Sequence, residues 1–360
     1  MKQTLSFTSP FWQWGGLGFG NCYAAVYMYL QDIADESIVC RAKEGKGCND
    51  CGNCSDTLNN LFATIAGQWT TRQSWSGENT AAQNINDEEY GSASSPTEKL
   101  VDFIIGFTGY EYEKVSENFK KNIIASIDAN TPIIAKLKND KLLCDLGKGY
   151  RVIIGYDEDK LFEPNYTPAA DLKDTITYDE IEYLYIFGKK IPQRYTFLDF
   201  LKMIEKSMNS DFTEGIWHDF IHKFDVEGEK LWDINSAEIK NRFIRLRNVM
   251  DWLPNIGHGF QTAFRDKKLL AALGADVNRL GELFDTIGHQ THLLHNRGYM
   301  LSAISDSALA LNATTGDDSP FEKLSLAESS QQILDSVMDC DLKILLAIKK
   351  AIRKMSVNSQ

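Results

Sequence analysis

The chain is predicted to be α+β, with a mixed domain over 1–195 and an all-α domain over 196–360. Three observations carry this. The first part alternates helical and strand periodicities, with short apolar runs such as "TPIIAKLK" and "YRVIIGYD" set between helical stretches. The second part repeats the helical period almost without a break. And 360 residues are enough for about two domains at roughly 100–200 residues each.

The elements follow in order. "CYAAVYMYLQDIADE" carries Tyr23, Val26, Tyr27, Leu30 and Ile33 on one helical face, with Cys22 opening the helix. Residues 40–54 form a cysteine-rich insert. "SDTLNNLFATIAGQW" reads as a helix capped by Ser55, and 70–95 as a long polar loop. "NFKKNIIASIDAN" is an amphipathic helix. "TPIIAKLK" is a strand introduced by proline, and "YRVIIGYD" a strand buried along nearly its whole length. "KLFEPNY" is a short strand ended by Pro164, and "ITYDEIEYLYIFGKK" a turn followed by a last strand. Helices are expected near 197–208, 212–224, 235–252, 258–273, 275–312 and 320–355, punctuated by Pro254, Gly257, Gly274, Gly316 and Pro320.

Charge excludes some functions. A net charge of −12 opposes nucleic-acid binding, which needs cations to neutralise phosphates, and opposes adsorption to anionic membranes. The basic run "KKAIRK" at 349–354 closes a helix and complements its dipole. No basic flank followed by a long apolar run opens the sequence, and no apolar window reaches 18 residues. A cytoplasmic location is expected, and seven cysteines, an odd number, do not read as a disulfide framework. No nucleic-acid or membrane partner is expected, and oligomerisation is open.

The first candidate site is "GGLGFGNCYAAVY" at 15–27. A thiol attacks as thiolate, and a helix N-terminus and a neighbouring imidazolium lower its pKa from about 8.5. Cys22 has the helix position, with the Asn21–Cys22 amides as oxyanion donors. The other reading is a small buried cysteine where a helix meets a glycine loop. "GGLGFG" lacks a preceding strand, the G-x-G-x-x-G spacing and a Walker lysine, so it is no nucleotide loop. It gives the backbone freedom beside the thiol, with Trp12 and Trp14 as an apolar wall.

The order of these pieces resembles the papain-like fold, in the branch of the bacteriocin-leader peptidases and butirosin-type acyltransferases. "C-Y-A-A" at 22–25 is similar to the branch's Cys-x-Ala-Ala helix start. "R-V-I-I-G-Y-D" followed by "E-P-N-Y" is similar to its His-x-Val-Val-Val-x-Gly-Tyr-Asp strand and the Asp or Asn beyond it. The resemblance covers about residues 10–190, and the butirosin-type proteins also append a helical half. It implies a cysteine-nucleophile hydrolase or acyltransferase, acting on an amide or acyl (thio)ester bond of a peptide or carrier-linked acyl group. Cys22 would be the nucleophile and Asn165 the orienting residue, or Glu163 if the family's Asp-Pro aligns with Glu163–Pro164. Gln13, nine residues before Cys22, stands farther off than the family's glutamine.

The chain departs from that pattern at the base. The family's histidine position is Gly149, with Tyr150 beside it, and residues 1–195 contain no histidine. All six (His218, His222, His258, His289, His292, His295) lie in the helical half. The alternative is therefore a non-catalytic papain-like binding or maturation protein. Should a histidine serve the thiol, His289 and His292 are the candidates, since they follow Gly288 and precede "NRGY". The spacings His218/His222, His289/His292 and His292/His295 also suit a metal, or simply histidines hydrogen-bonded within a bundle. H-E-x-x-H is absent.

The second candidate site is the insert "CRAKEGKGCNDCGNC". Cys40, Cys48, Cys51 and Cys54 are spaced x7, x2 and x2. Four thiolates on a loop with little core of its own suit a structural zinc, and the consecutive C-x2-C-x2-C suits an iron–sulfur cluster. Free thiols are the third reading. Cys144 and Cys340 are isolated core residues.

Overall fold

A computed structural model describes residues 2–6, 18–32, 91–92, 95–138, 149–164, 176–213, 264, 267–314 and 320–357. Helices and antiparallel sheets alternate first and helices alone follow, an α+β arrangement. The described elements divide into two compact units. The first holds everything through Phe197 with the short helix Lys267–Ala272, and the second the helices beyond.

The first unit is built on an antiparallel four-stranded sheet. Its strands are β4 (Tyr110–Val115), β5 (Ile133–Leu137), β6 (Tyr150–Ile153) and β9 (Ile181–Lys190), in the order β4-β9-β5-β6. A second sheet joins β1 (Lys2–Thr4), β7 (Gly155–Asp157) and β8 (Lys160–Phe162), in the order β1-β7-β8. A small hairpin pairs β2 (Gly91–Ser92) with β3 (Ser95–Pro96). Helix α1 (Gly18–Leu30) packs on β5 and β6, and α2 (Glu98–Thr108) and α3 (Phe119–Asp128) belong to the same unit.

The predicted single strand over 150–157 is in fact two. Ile154 separates β6 from β7, and the chain changes sheets there. The Ile154 amide donates to the Phe162 carbonyl at 2.8 Å, and its carbonyl accepts from the Leu5 amide at 2.8 Å. Gly155 permits the change: a Cβ there would stand 2.5 Å from the Gln3 carbonyl oxygen of β1. Thus the glycine of "GYD" is required by a neighbouring backbone.

The core explains α1. Cys22 through Met28 are all buried, so this helix is apolar all round rather than on one face. Phe19 meets the ring of Tyr185 at 5.2 Å and that of Tyr150 at 5.9 Å, and Tyr23 meets Phe187 at 5.6 Å. Tyr23 gives its hydroxyl a partner in Thr108 of α2. Aromatic pairs of this kind contribute about 0.5–1.5 kcal/mol each beyond their buried area.

The sequence reading assigns no element to 98–115, where α2 and β4 lie. Their signals are nevertheless local. The Thr97 hydroxyl accepts from the Leu100 amide at 3.4 Å, and Gly109 closes the helix in the left-handed conformation. Past β9 the chain is tied to α2. Arg194 Nη2 reaches Asp102 Oδ1 at 2.7 Å and the Tyr195 hydroxyl donates to Oδ2 at 2.9 Å.

In the second unit α4 runs Phe197–Thr213, longer than the expected 197–208, and Phe200 stacks with Phe264 at 6.4 Å. Helix α5 (Lys267–Ala272), assigned to the first unit, is all that the described residues hold of the helix expected at 258–273, apart from the helical Phe264. Helices α6 (Val277–Thr314) and α7 (Pro320–Ser356) match the expected 275–312 and 320–355 to within two residues and pack antiparallel. Arg279 near the start of α6 donates to the Lys354 carbonyl near the end of α7, and Arg297 Nε lies 3.1 Å from Ser336 Oγ. The helices expected at 55–69 and 235–252, and nearly all of 212–224, lie outside the described residues. Among the described residues no helix is long and apolar enough to cross a membrane.

Candidate functional site

Helix α1 begins at Gly18, a full turn earlier than expected. Cys22 is therefore inside the helix rather than at its opening. In the α-helical pattern only the first-turn amides are free, so the Cys22 amide is spent on the Gly18 carbonyl and is no oxyanion donor. The side chain is 2% exposed. Burial pushes the thiol up to about 12; Arg151 draws it back and Glu163 pushes it further.

Those two residues form the polar feature of this region. Arg151 lies on β6 and Glu163 one residue past β8. Arg151 Nε sits 3.1 Å from Glu163 Oε1, with side chains only 8% and 13% exposed. Arg151 Nη1 also donates to the Tyr150 carbonyl at 3.0 Å. A buried charge needs a partner, and the β6–β7 and β7–β8 connections place this pair across the point where the chain changes sheets.

Gly149 has φ +81°, in the left-handed region that favours glycine, and its carbonyl accepts from the Leu137 amide at 2.6 Å. The backbone at Gly149, the position that the papain-like resemblance would give to a histidine, is thus one that a histidine adopts only under strain. Tyr150 turns toward α1, and its hydroxyl lies 2.8 Å from that of Tyr183.

Chemically, this arrangement holds a neutral thiol. A guanidinium cannot accept a proton in this pH range, and the Glu163 carboxylate is engaged by Arg151. A general base for Cys22 is therefore not supplied by either.

Of the other predicted residues, His289 is exposed on α6, and His292 is half-buried with Nε2 3.2 Å from Asn296 Nδ2. Both belong to the second compact unit. His295 lies on the same helix. Asn165, Gln13, Trp12, Trp14, His218, His222 and His258 lie outside the described residues, as do Cys144 and the cluster Cys40, Cys48, Cys51 and Cys54. Among the described residues no group of three or more histidines, cysteines or carboxylates is arranged to hold a metal. Cys340 is 3% exposed on α7.

Sequence reasoning missed Arg151. The signal was present: an arginine inside the apolar strand "YRVIIGYD" must find a counter-charge, and Glu163 is the carboxylate beside the next short strand. Compared with known families, curated proteins and solved structures, the chain matches none.

Proposed function

We propose that the first unit is a papain-like shell without a triad, and that the protein is a cytoplasmic binding or maturation factor for a peptide or carrier-linked acyl group. The observation that carries this is Cys22 itself: buried within α1, its thiol pushed up to about 12, beside a closed Arg151–Glu163 pair. Nucleophilic catalysis asks for the opposite, a partly exposed thiolate in reach of a base. The order of helix, Gly-Tyr-Asp strand and appended helices supports the papain-like shell. The spacing of Cys40, Cys48, Cys51 and Cys54 supports a structural metal loop, with zinc or an iron–sulfur cluster as its occupant.

Turnover separates this reading from the enzyme reading. The full chain is incubated with a panel of peptides and acyl thioesters beside the Cys22→Ala variant. The binding reading expects no release above background for either protein, and equal ligand retention by both. Turnover that vanishes in Cys22→Ala would reinstate the nucleophile.

A further inference from the structure

The outward face of α7 is unusual at its middle. Opposite the buried row Cys340, Ile344, Ala347 and Ile348, the helix exposes Asp335, Asp339, Leu342, Leu346, Lys350 and Arg353. These steps of three and four residues make one straight stripe. Leu342 is 41% and Leu346 56% exposed. Its acids lie on one side of the leucines and its cations on the other.

We infer that this stripe is a self-association surface whose occupant is α7 of a second copy, laid antiparallel across a two-fold axis. The charge order selects that partner. A two-fold interface sets each residue against its mirror along the helix. With the axis midway between Leu342 and Leu346, Leu342 of one copy meets Leu346 of the other. The same axis puts Asp335 opposite Arg353 and Asp339 within one residue of Lys350. Each contact occurs twice. A parallel pairing would set like charges against each other, and a uniformly acidic or basic partner would oppose half the stripe. Asp339 already bonds Lys343 at 2.6 Å, but that pair is half-exposed and of the kind that contributes little, so exchanging it for a contact across the axis costs little. From Asp335 to Arg353 the stripe spans about 27 Å, five turns of helix.

Sedimentation velocity of the full chain over a concentration series tests this. The wild-type chain is expected to show a monomer–dimer equilibrium. Leu346→Glu and Arg353→Asp, both at exposed positions, should each weaken it about tenfold or more, with the far-UV circular dichroism unchanged. Asp335→Arg should weaken it likewise. An equimolar mixture of the Arg353→Asp and Asp335→Arg proteins should associate again, because each heterologous pair regains opposite charges at both contacts. A wild-type chain that stays monomeric at its highest soluble concentration, a dimer indifferent to Leu346→Glu and Arg353→Asp, or a mixture that fails to reassociate would each overturn the inference.

Discussion

Arg151 and Glu163 form a largely buried ion pair, Nε to Oε1 3.1 Å, that spans the change of sheet at Ile154, with Arg151 before it on β6 and Glu163 after it, past β8. Its energetics are asymmetric. Glu163→Ala or Arg151→Ala leaves one charge buried without its counterpart and should cost about 3–5 kcal/mol in urea unfolding. Replacing both with methionine should cost less than either single change, because no charge is then left behind. A strictly additive double variant would contradict the pairing.

Gly149 at φ +81° makes a second prediction. Gly149→His places an imidazole, where the papain-like resemblance would have one, on a left-handed backbone, which should cost about 1–2 kcal/mol. It should not create a reactive thiol, since Cys22 remains buried. Thermal unfolding reads the first effect and thiol labelling the second. Gain of peptide or thioester cleavage in this variant would contradict the account.

Asp102 gathers Arg194, Tyr195 and Tyr112. Burial alone would raise its pKa, but hydrogen bonds from Arg194 and Tyr195 and the Arg194 charge hold it below the ordinary carboxylate value. A folded-state pKa below the unfolded one contributes stability that is present above the unfolded pKa of about 3.9 and is lost as pH falls through the folded value. Asp102→Asn should therefore be most damaging near neutrality, with a deficit that shrinks as pH falls below the unfolded value of about 3.9 and through the lower folded one. A deficit that persists in acid would contradict this.

The cysteine loop is tested by metal content. About one zinc, or one iron–sulfur cluster with visible absorption, is expected per purified chain. Stability should fall on chelation and in Cys51→Ser. Metal-free protein unaffected by chelator would contradict this.

Much of the fold was legible where periodicity is local. The strands at 133–137 and 181–190, the helix at 119–128 and the two long C-terminal helices follow from residue spacing. The break at Ile154 was not legible, because it is dictated by β1, some 150 residues earlier in the chain. The extra turn of α1 before Cys22 was hidden in "GFGN", where glycines argue against the helix that tertiary packing imposes. That turn moves Cys22 from a helix opening to a helix interior. Glu163 was found for one role, as an orienting residue, and stands in another, because Arg151 went unread.

The proposed function turns on Cys22 being a protonated, buried thiol. Its rate of alkylation against pH, read residue by residue by peptide mass spectrometry with the urea-unfolded chain as reference, tests it most directly. With the folded thiol pushed up to about 12, labelling of native Cys22 at pH 8 should be at least about a hundredfold slower than in the unfolded chain, and should rise only toward strong alkali. A native Cys22 that labels as fast as the unfolded residue, with an apparent pKa well below about 8.5, would contradict the account and return Cys22 to the role of nucleophile.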